Sequence, residues 1–129
     1  MMNPKGTTHA DARTKVTIMN AVATKLDSLR EKGAMKSIEV ANLLGTRPET
    51  VSRWKQGRAY PHAGTEKTLL ELEYLVDQLA DFYKPDEARQ WMFAPQRLLA
   101  GASPAELIRE GRIDEVMRLV AQIRDAVHF

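Results

Sequence analysis

The segment VSRWKQGRAYP, Val51 to Pro61, holds three cationic side chains, a tryptophan, a glycine and a proline. Arginine can grip guanine by two hydrogen bonds in the major groove, and glutamine can do the same for adenine, so Arg53 and Gln56 are candidates for reading base edges. Lys55 and Arg58 lie where phosphate is easier to reach than bases. Glu49 would repel phosphate unless it accepts from a cytosine amino group, Ser52 is a further candidate reader, and Thr46, Arg47 and Thr50 suit either purpose. A positive cluster alone is ordinarily a solvated helix face, so this reading depends on the elements that hold the cluster.

Those elements lie just upstream, in SIEVANLLGTRPETVSRWKQG, Ser37 to Gly57. Ile38, Ala41 and Leu44 follow one helical pattern, Val51 and Trp54 a second, and Gly45 falls between them. Ala41 is small where two steeply crossed helices approach, and Gly45 supplies the turn. The spacing predicts a helix-turn-helix. Ser37 is expected as the first helix cap, Thr46-Arg47-Pro48-Glu49 as a capping box with proline in the first turn, and Gly57 as the stop. With Val51 and Trp54 inward, steps of about 100° per residue turn Thr46, Glu49, Ser52, Arg53 and Gln56 outward. The plainer alternative is a small helical core with a basic rim.

The chain has 129 residues, 43% of them hydrophobic, enough for one compact domain or two small ones sharing a core. It contains no cysteine, which excludes disulfides and cysteine-ligated metal sites and fits a reducing cytoplasm. No apolar run approaches membrane-spanning length, and MMNPKGTTHADARTK has no signal-peptide core, so a cytoplasmic protein with no membrane contact is expected. The net charge of +2 hides a division. Up to His62 eleven Lys/Arg face five Asp/Glu, a balance of +6; from Ala63 onward eight face twelve, a balance of −4. The basic half suits double-stranded DNA, and the acidic half suits a protein partner. Glu71, Glu73, Asp77 and Asp81 are expected to solvate a helix.

An all-α fold follows from the periodicities. Residues 1–12 read as a flexible arm. From Asp11 to Lys32 a first helix carries Val16, Met19, Val22, Leu26 and Leu29, and Gly33 stops it. Thr65 to Tyr83 forms a long helix whose stripe of Leu69, Leu72, Val76 and Leu79 fits either an internal core or a dimerisation seam between two chains. Short helices follow at Asp86–Phe93 and Gln96–Ala100, and a third begins at Ser103-Pro104-Ala105-Glu106 with serine as cap. A last helix spans Ile113 to Ala126. The expected organisation is an arm at 1–12, a DNA-binding unit at 13–64, a connecting and dimerisation helix at 65–83, and a further helical unit at 84–129.

EVANLLGTRPETVSRWKQGRAYP resembles the helix-turn-helix of Xre-type, phage-repressor-like regulators. Downstream, Trp91, Pro95, Leu99, Gly101, Ser103, Pro104, Leu107, Ile108, Gly111, Val116, Leu119 and Ile123 fall in the order found in the toxin-binding domain of the Xre/MbcA/ParS antitoxin family. The resemblance implies an antitoxin that covers the active-site cleft of a RES-domain toxin, an enzyme consuming NAD⁺, and that represses its own operon by binding the operator. It implies toxin contacts among Trp91, Pro95, Leu99, Ser103, Pro104, Leu107, Leu119, Ile123 and Arg124, with Leu119 and Arg124 near the exposed end of the last helix. Trp91, Leu107 and Ile108 also read as core. The family commonly places glycine just after the last helix, where this chain has Ala126. The alternative function is a stand-alone dimeric transcriptional regulator with no toxin partner.

An enzyme is not expected, and neither a cofactor nor a metal is called for. His9, His62 and His128 have no ligand spacing around them. The chain lacks a phosphate-cradling glycine loop and a serine in a nucleophile-elbow context. Asp86-Glu87 and Asp114-Glu115 sit at helix starts, where the helix dipole accounts for them.

Overall fold

Val22, Leu26 and Leu29 recur at helical spacing, and the computed structural model, which describes residues 21–127, buries all three on a helix over 21–33, here α1. Val16, Met19 and the expected arm with His9 lie outside the described residues, as does His128. Six α-helices follow: α2 (Ser37–Leu44), α3 (Pro48–Lys55), α4 (Ala63–Leu79), α5 (Pro85–Phe93), α6 (Pro104–Arg109) and α7 (Ile113–Val127). A 3-10 turn, Arg97–Leu99, joins α5 to α6. Among the described residues every regular element is helical, as expected, and no helix is long and apolar enough to cross a membrane.

Several helix ends differ from expectation, each for a local reason. Gly33 is not the stop but the last helical residue of α1. A Cβ there would come within 3.0 Å of Val76 Cγ1, so the missing side chain lets α4 approach, and Ala34 takes the left-handed turn at φ 51°. The cap of α2 is Lys36 rather than Ser37, and the Glu39 carboxylate caps from inside by accepting from the Lys36 N–H at 2.9 Å. The predicted box at Thr46 does not form. Pro48 disfavours helical geometry in its predecessor, so Arg47 is extended (φ −100°, ψ 151°) and becomes the cap, while the Thr46 N–H donates back to Ala41 O at 2.9 Å. α4 ends at Leu79 rather than Tyr83, and the same constraint at Lys84-Pro85 holds Lys84 extended as the cap of α5. Phe82 and Tyr83 instead fold into a turn, half-buried, with their rings edge to face at 5.2 Å. Ser103 caps α6 as expected, its hydroxyl accepting from the Glu106 N–H at 3.1 Å.

One buried cluster runs from Val22 to Val120. α2 packs on α3 and α6, α4 on α7, and α6 on both α5 and α7. Met92, Leu107, Ile108, Val116 and Val120 therefore share a core with Leu29, Ala41, Leu69 and Leu72. This overturns the seam reading of Leu69, Leu72, Val76 and Leu79, because all four are buried inside the single chain and have no surface left for a second copy. Nor do the acids of α4 all merely solvate it. Glu73 accepts from Lys25 Nζ at 3.3 Å and Ser28 Oγ at 3.1 Å, and Asp77 accepts from Lys32 Nζ at 2.5 Å, tying α1 to α4.

Candidate functional site

Two surfaces carry the candidate residues. The first is built on α3. Val51 and Trp54 are buried, which fixes the roll of the helix and leaves Glu49, Ser52, Arg53 and Lys55 exposed, with Thr50 half-buried. The left-handed Gly45 (φ 69°) makes the sharp turn that sets α3 across α2, a conformation glycine adopts without Cβ strain. Arg47 is exposed and Thr46 half-buried in this turn. α3 has only eight residues, so its first turn carries Glu49 and Thr50, and Arg53 stands in the last.

Gln56 lies at the C-terminal cap rather than on the helical face, and its Oε1 accepts from Arg58 Nη1 at 3.1 Å. A bidentate grip on adenine uses both ends of the carboxamide, so Gln56 must release Arg58 before it can read a base. Arg53 makes no ion pair among the described residues and needs no such release. Two further cations escaped the sequence reading. Arg30 of α1 and Lys36 join Lys55 around an open cavity of about 490 Å³ between α1, α2 and α3. Arg30 and Lys55 lie on separate helices and Lys36 at the cap of a third, and only the packing of those helices brings them together.

The second surface belongs to α5, the 3-10 turn, α6 and α7, and here the structure corrects several expectations. Ser103, Pro104, Leu107 and Leu119 are buried and offer a partner almost no surface. They build the site rather than line it. Leu119 is not near an exposed end, because the α7 residues that pack inward are Ile113, Val116, Leu119 and Val120. Arg124 is half-buried and donates from Nη1 to Gln78 Oε1, which holds α7 against α4. Trp91, Leu99 and Ile123 are half-buried, and Pro95 is exposed. Ala126 lies within α7 rather than beyond it. Leu98, which no pattern singled out, is exposed beside this surface.

A polar link joins the two surfaces. Glu39 of α2 accepts from Arg89 Nη2 of α5 as well as from the Lys36 amide, and the Arg89 guanidinium lies 5.3 Å from the centre of the Phe93 ring. Burial pushes the Glu39 carboxyl up, but the Arg89 and Lys36 hydrogen bonds outweigh it, and its pKa falls below the ordinary value. Glu39 is thus held ionised at the junction of α2 and α5.

Comparison with known proteins gives this geometry a context. Residues 74–125 match the family described as the antitoxin Xre/MbcA/ParS C-terminal toxin-binding domain. The chain is 32% identical over 109 residues to the mycobacterial cidal antitoxin MbcA of Mycobacterium tuberculosis, covering 84% of this chain and 96% of that protein. It is 28% identical over 115 residues to a probable mycobacterial cidal antitoxin of the same organism, covering 88% and 97%. Its fold resembles a chain in the crystal structure of the M. tuberculosis MbcT–MbcA toxin–antitoxin complex, with TM-score 0.73, 31% identity, and coverage of 84% of this chain and 97% of that one.

Proposed function

The chain belongs to the Xre/MbcA/ParS family of antitoxins, and on that premise we propose that it binds and silences a toxin with α5–α7 while reading DNA with α3. The observation that carries this reading is the pair of unlike surfaces on one continuous core: an exposed basic face on α3, and a C-terminal surface inside the matched region 74–125. In this reading 13–64 serves the DNA, 65–83 connects, and 84–129 meets the toxin.

The partner is a RES-type toxin that consumes NAD⁺, and inhibition is steric occlusion of its cleft. The sequence offers no catalytic constellation with which to inactivate an enzyme chemically, so coverage is the available means. MbcA, which this chain resembles, is solved in complex with the toxin MbcT. On the toxin side Trp91, Pro95, Leu99, Ile123 and Arg124 retain exposed surface, and Ser103, Pro104, Leu107 and Leu119 hold them in place.

On the DNA side, Arg53 reads a base edge and Thr46, Arg47, Glu49, Thr50, Ser52 and Gln56 surround it. Lys55 and Arg58 contact phosphate, with Arg30 and Lys36 extending the positive rim. Repression of the toxin–antitoxin operon follows from occupancy of its promoter. A two-fold operator calls for two chains. Leu70 and Tyr74, one turn apart on α4 and both exposed, are the apolar residues there available to a second copy.

The test combines a gel shift on the protein's own promoter with co-purification of the adjacent gene product. The proposal expects a specific shift that weakens with salt, a stable complex, and slower NAD⁺ loss in cells making the toxin. A chain that shifts the promoter but neither retains the adjacent product nor slows NAD⁺ loss is a stand-alone regulator.

A further inference from the structure

Residues 94–102 form a loop closed on itself. The Gln96 N–H donates to Ala102 O at 3.0 Å, and the Gly101 N–H donates back to Gln96 O at 2.9 Å. The side-chain amide of Gln96 donates to Trp91 O at 3.0 Å and Ala94 O at 3.3 Å, anchoring the loop to the end of α5. Two successive residues are left-handed, Ala100 at φ 58° and Gly101 at φ 87°. Glycine takes that conformation freely, but alanine does so only where its surroundings force it. The backbone is thus held in one shape, at some strain, by bonds at both ends and in the middle.

That shape tucks Leu99 halfway into the core and turns Leu98 out. Leu98 is 72% exposed, the most exposed large hydrophobic side chain among the described residues. A lone exposed leucine is ordinary, but this one has a setting. It borders an open groove of about 220 Å³, shared with Leu99 and Leu119 and with Glu115, Arg118 and Gln122 of α7. Its neighbour Arg97 is exposed and makes no ion pair among the described residues, while Arg118 has only a 3.4 Å contact with Asp114 at a solvated site. In a half of the chain that is acidic on balance, the leucine is flanked by two cations, Arg97 without an ion-pair partner among the described residues and Arg118 loosely paired with Asp114 and beside Glu115.

We propose that Leu98 is the apolar anchor of the toxin interface, seated in an apolar pocket of the toxin whose rim carries carboxylates facing Arg97 and Arg118. The assignment rests on the antitoxin reading and deepens it. The flanking charges select the occupant. DNA would satisfy the arginines but give the leucine nothing to bury against. A second copy docking through the same patch about a two-fold axis would set Leu98 against Leu98 and bring the Arg97 side chains, which have no ion-pair partner among the described residues, toward one another. A protein with an acidic-rimmed apolar pocket satisfies all three side chains, and a preformed loop binds it without the cost of ordering an anchor.

The experiment measures the affinity of the full-length protein for the purified, catalytically inactive product of the adjacent toxin gene. Fully burying a leucine accounts for about 10- to 100-fold in affinity, so L98A is expected to weaken binding by that range and L98D by more. R97E and R118E should each weaken it and make it less sensitive to salt. I38A, which trims another exposed leucine-sized side chain on α2, should stay within about threefold of wild type, as expected of an exposed site away from the anchor. Promoter binding and the helical circular-dichroism signal should be unchanged in all five variants, because each altered side chain is exposed. If L98A and L98D both bind within threefold of wild type, the anchor is elsewhere although the antitoxin reading stands. If the wild-type protein itself fails to bind, both fall. Should L98D lose helical signal, L98A with R97E decides, and near-wild-type binding by both overturns the assignment.

Discussion

The α3 surface and the C-terminal surface relate differently to the core beneath them. On α3, the proposed function and the structure are divided between faces of one short helix: Val51 and Trp54 are buried, whereas Arg53, Ser52 and Glu49 are exposed. In the C-terminal region the recognisable pattern is itself mostly interior, since Ser103, Pro104, Leu107 and Leu119 are buried and Leu98, which the pattern ignores, stands out. A surface reader can change without disturbing the fold. A pattern made of core residues marks the scaffold of a binding surface and leaves its contacts unnamed.

The largest test of this contrast is to cut between the regions. A fragment beginning at residue 81 removes α2 and α4, which cover α6 and α7, and strands Ile108, Val116 and Val120. It should lose cooperative thermal unfolding and most of its helical signal. A fragment that melts cooperatively would show that the C-terminal helices have a core of their own. L72E should act similarly in the whole chain. Replacing a fully buried leucine even with alanine costs about 2–5 kcal/mol, and a buried carboxylate adds to that. Y74E, by contrast, should leave the melting temperature within a few degrees and lower the mass seen by light scattering if two chains pair through that face.

R53A separates the regions most cleanly. It should weaken specific operator binding by about 1–3 kcal/mol and relax preference at one base pair, without moving the melting temperature. A fall in stability of similar size would place Arg53 in the structure rather than at the reading edge. S103A probes the opposite case. Loss of the cap on α6 should cost about 1 kcal/mol of folding stability in denaturant melts and leave DNA binding untouched.

The smallest effect concerns the link between the two surfaces. The Glu39 carboxyl has its pKa lowered in the folded chain, so the stability it contributes is complete above its ordinary value of 4.5 and is lost as pH falls through the lower, folded value. E39Q should remove that part of the acid dependence and cost on the order of 1 kcal/mol at neutral pH, because the half-exposed Arg89 is partly screened by water. Denaturant melts of both proteins across the acid range check it. Parallel pH curves would mean that Glu39 gains nothing from Arg89 and Lys36.

Much of this was legible in the sequence, and the exceptions share a cause. The α2–turn–α3 unit could be read because Ala41, Gly45, Val51 and Trp54 act within some fourteen residues, where helical periodicity and turn chemistry decide the outcome. The Ser103-Pro104 helix start is local in the same way. The stripe on α4 was visible as a stripe, but periodicity cannot tell which element covers it, and α7 begins more than thirty residues after α4 ends. Gly33 read as a stop for the same reason, since the approach of Val76 is a tertiary fact. Leu98 was invisible because its exposure depends on a loop closed by backbone bonds around Gln96, and such bonds leave little trace in residue type.

The central claim is that one folded unit presents two separable surfaces, and co-purification of R53A with the adjacent toxin gene product tests it most directly. The account predicts that R53A, with its specific operator binding weakened, retains the toxin as completely as the wild-type protein does. Failure of R53A to retain a toxin that the wild type holds, or failure of both, would contradict it.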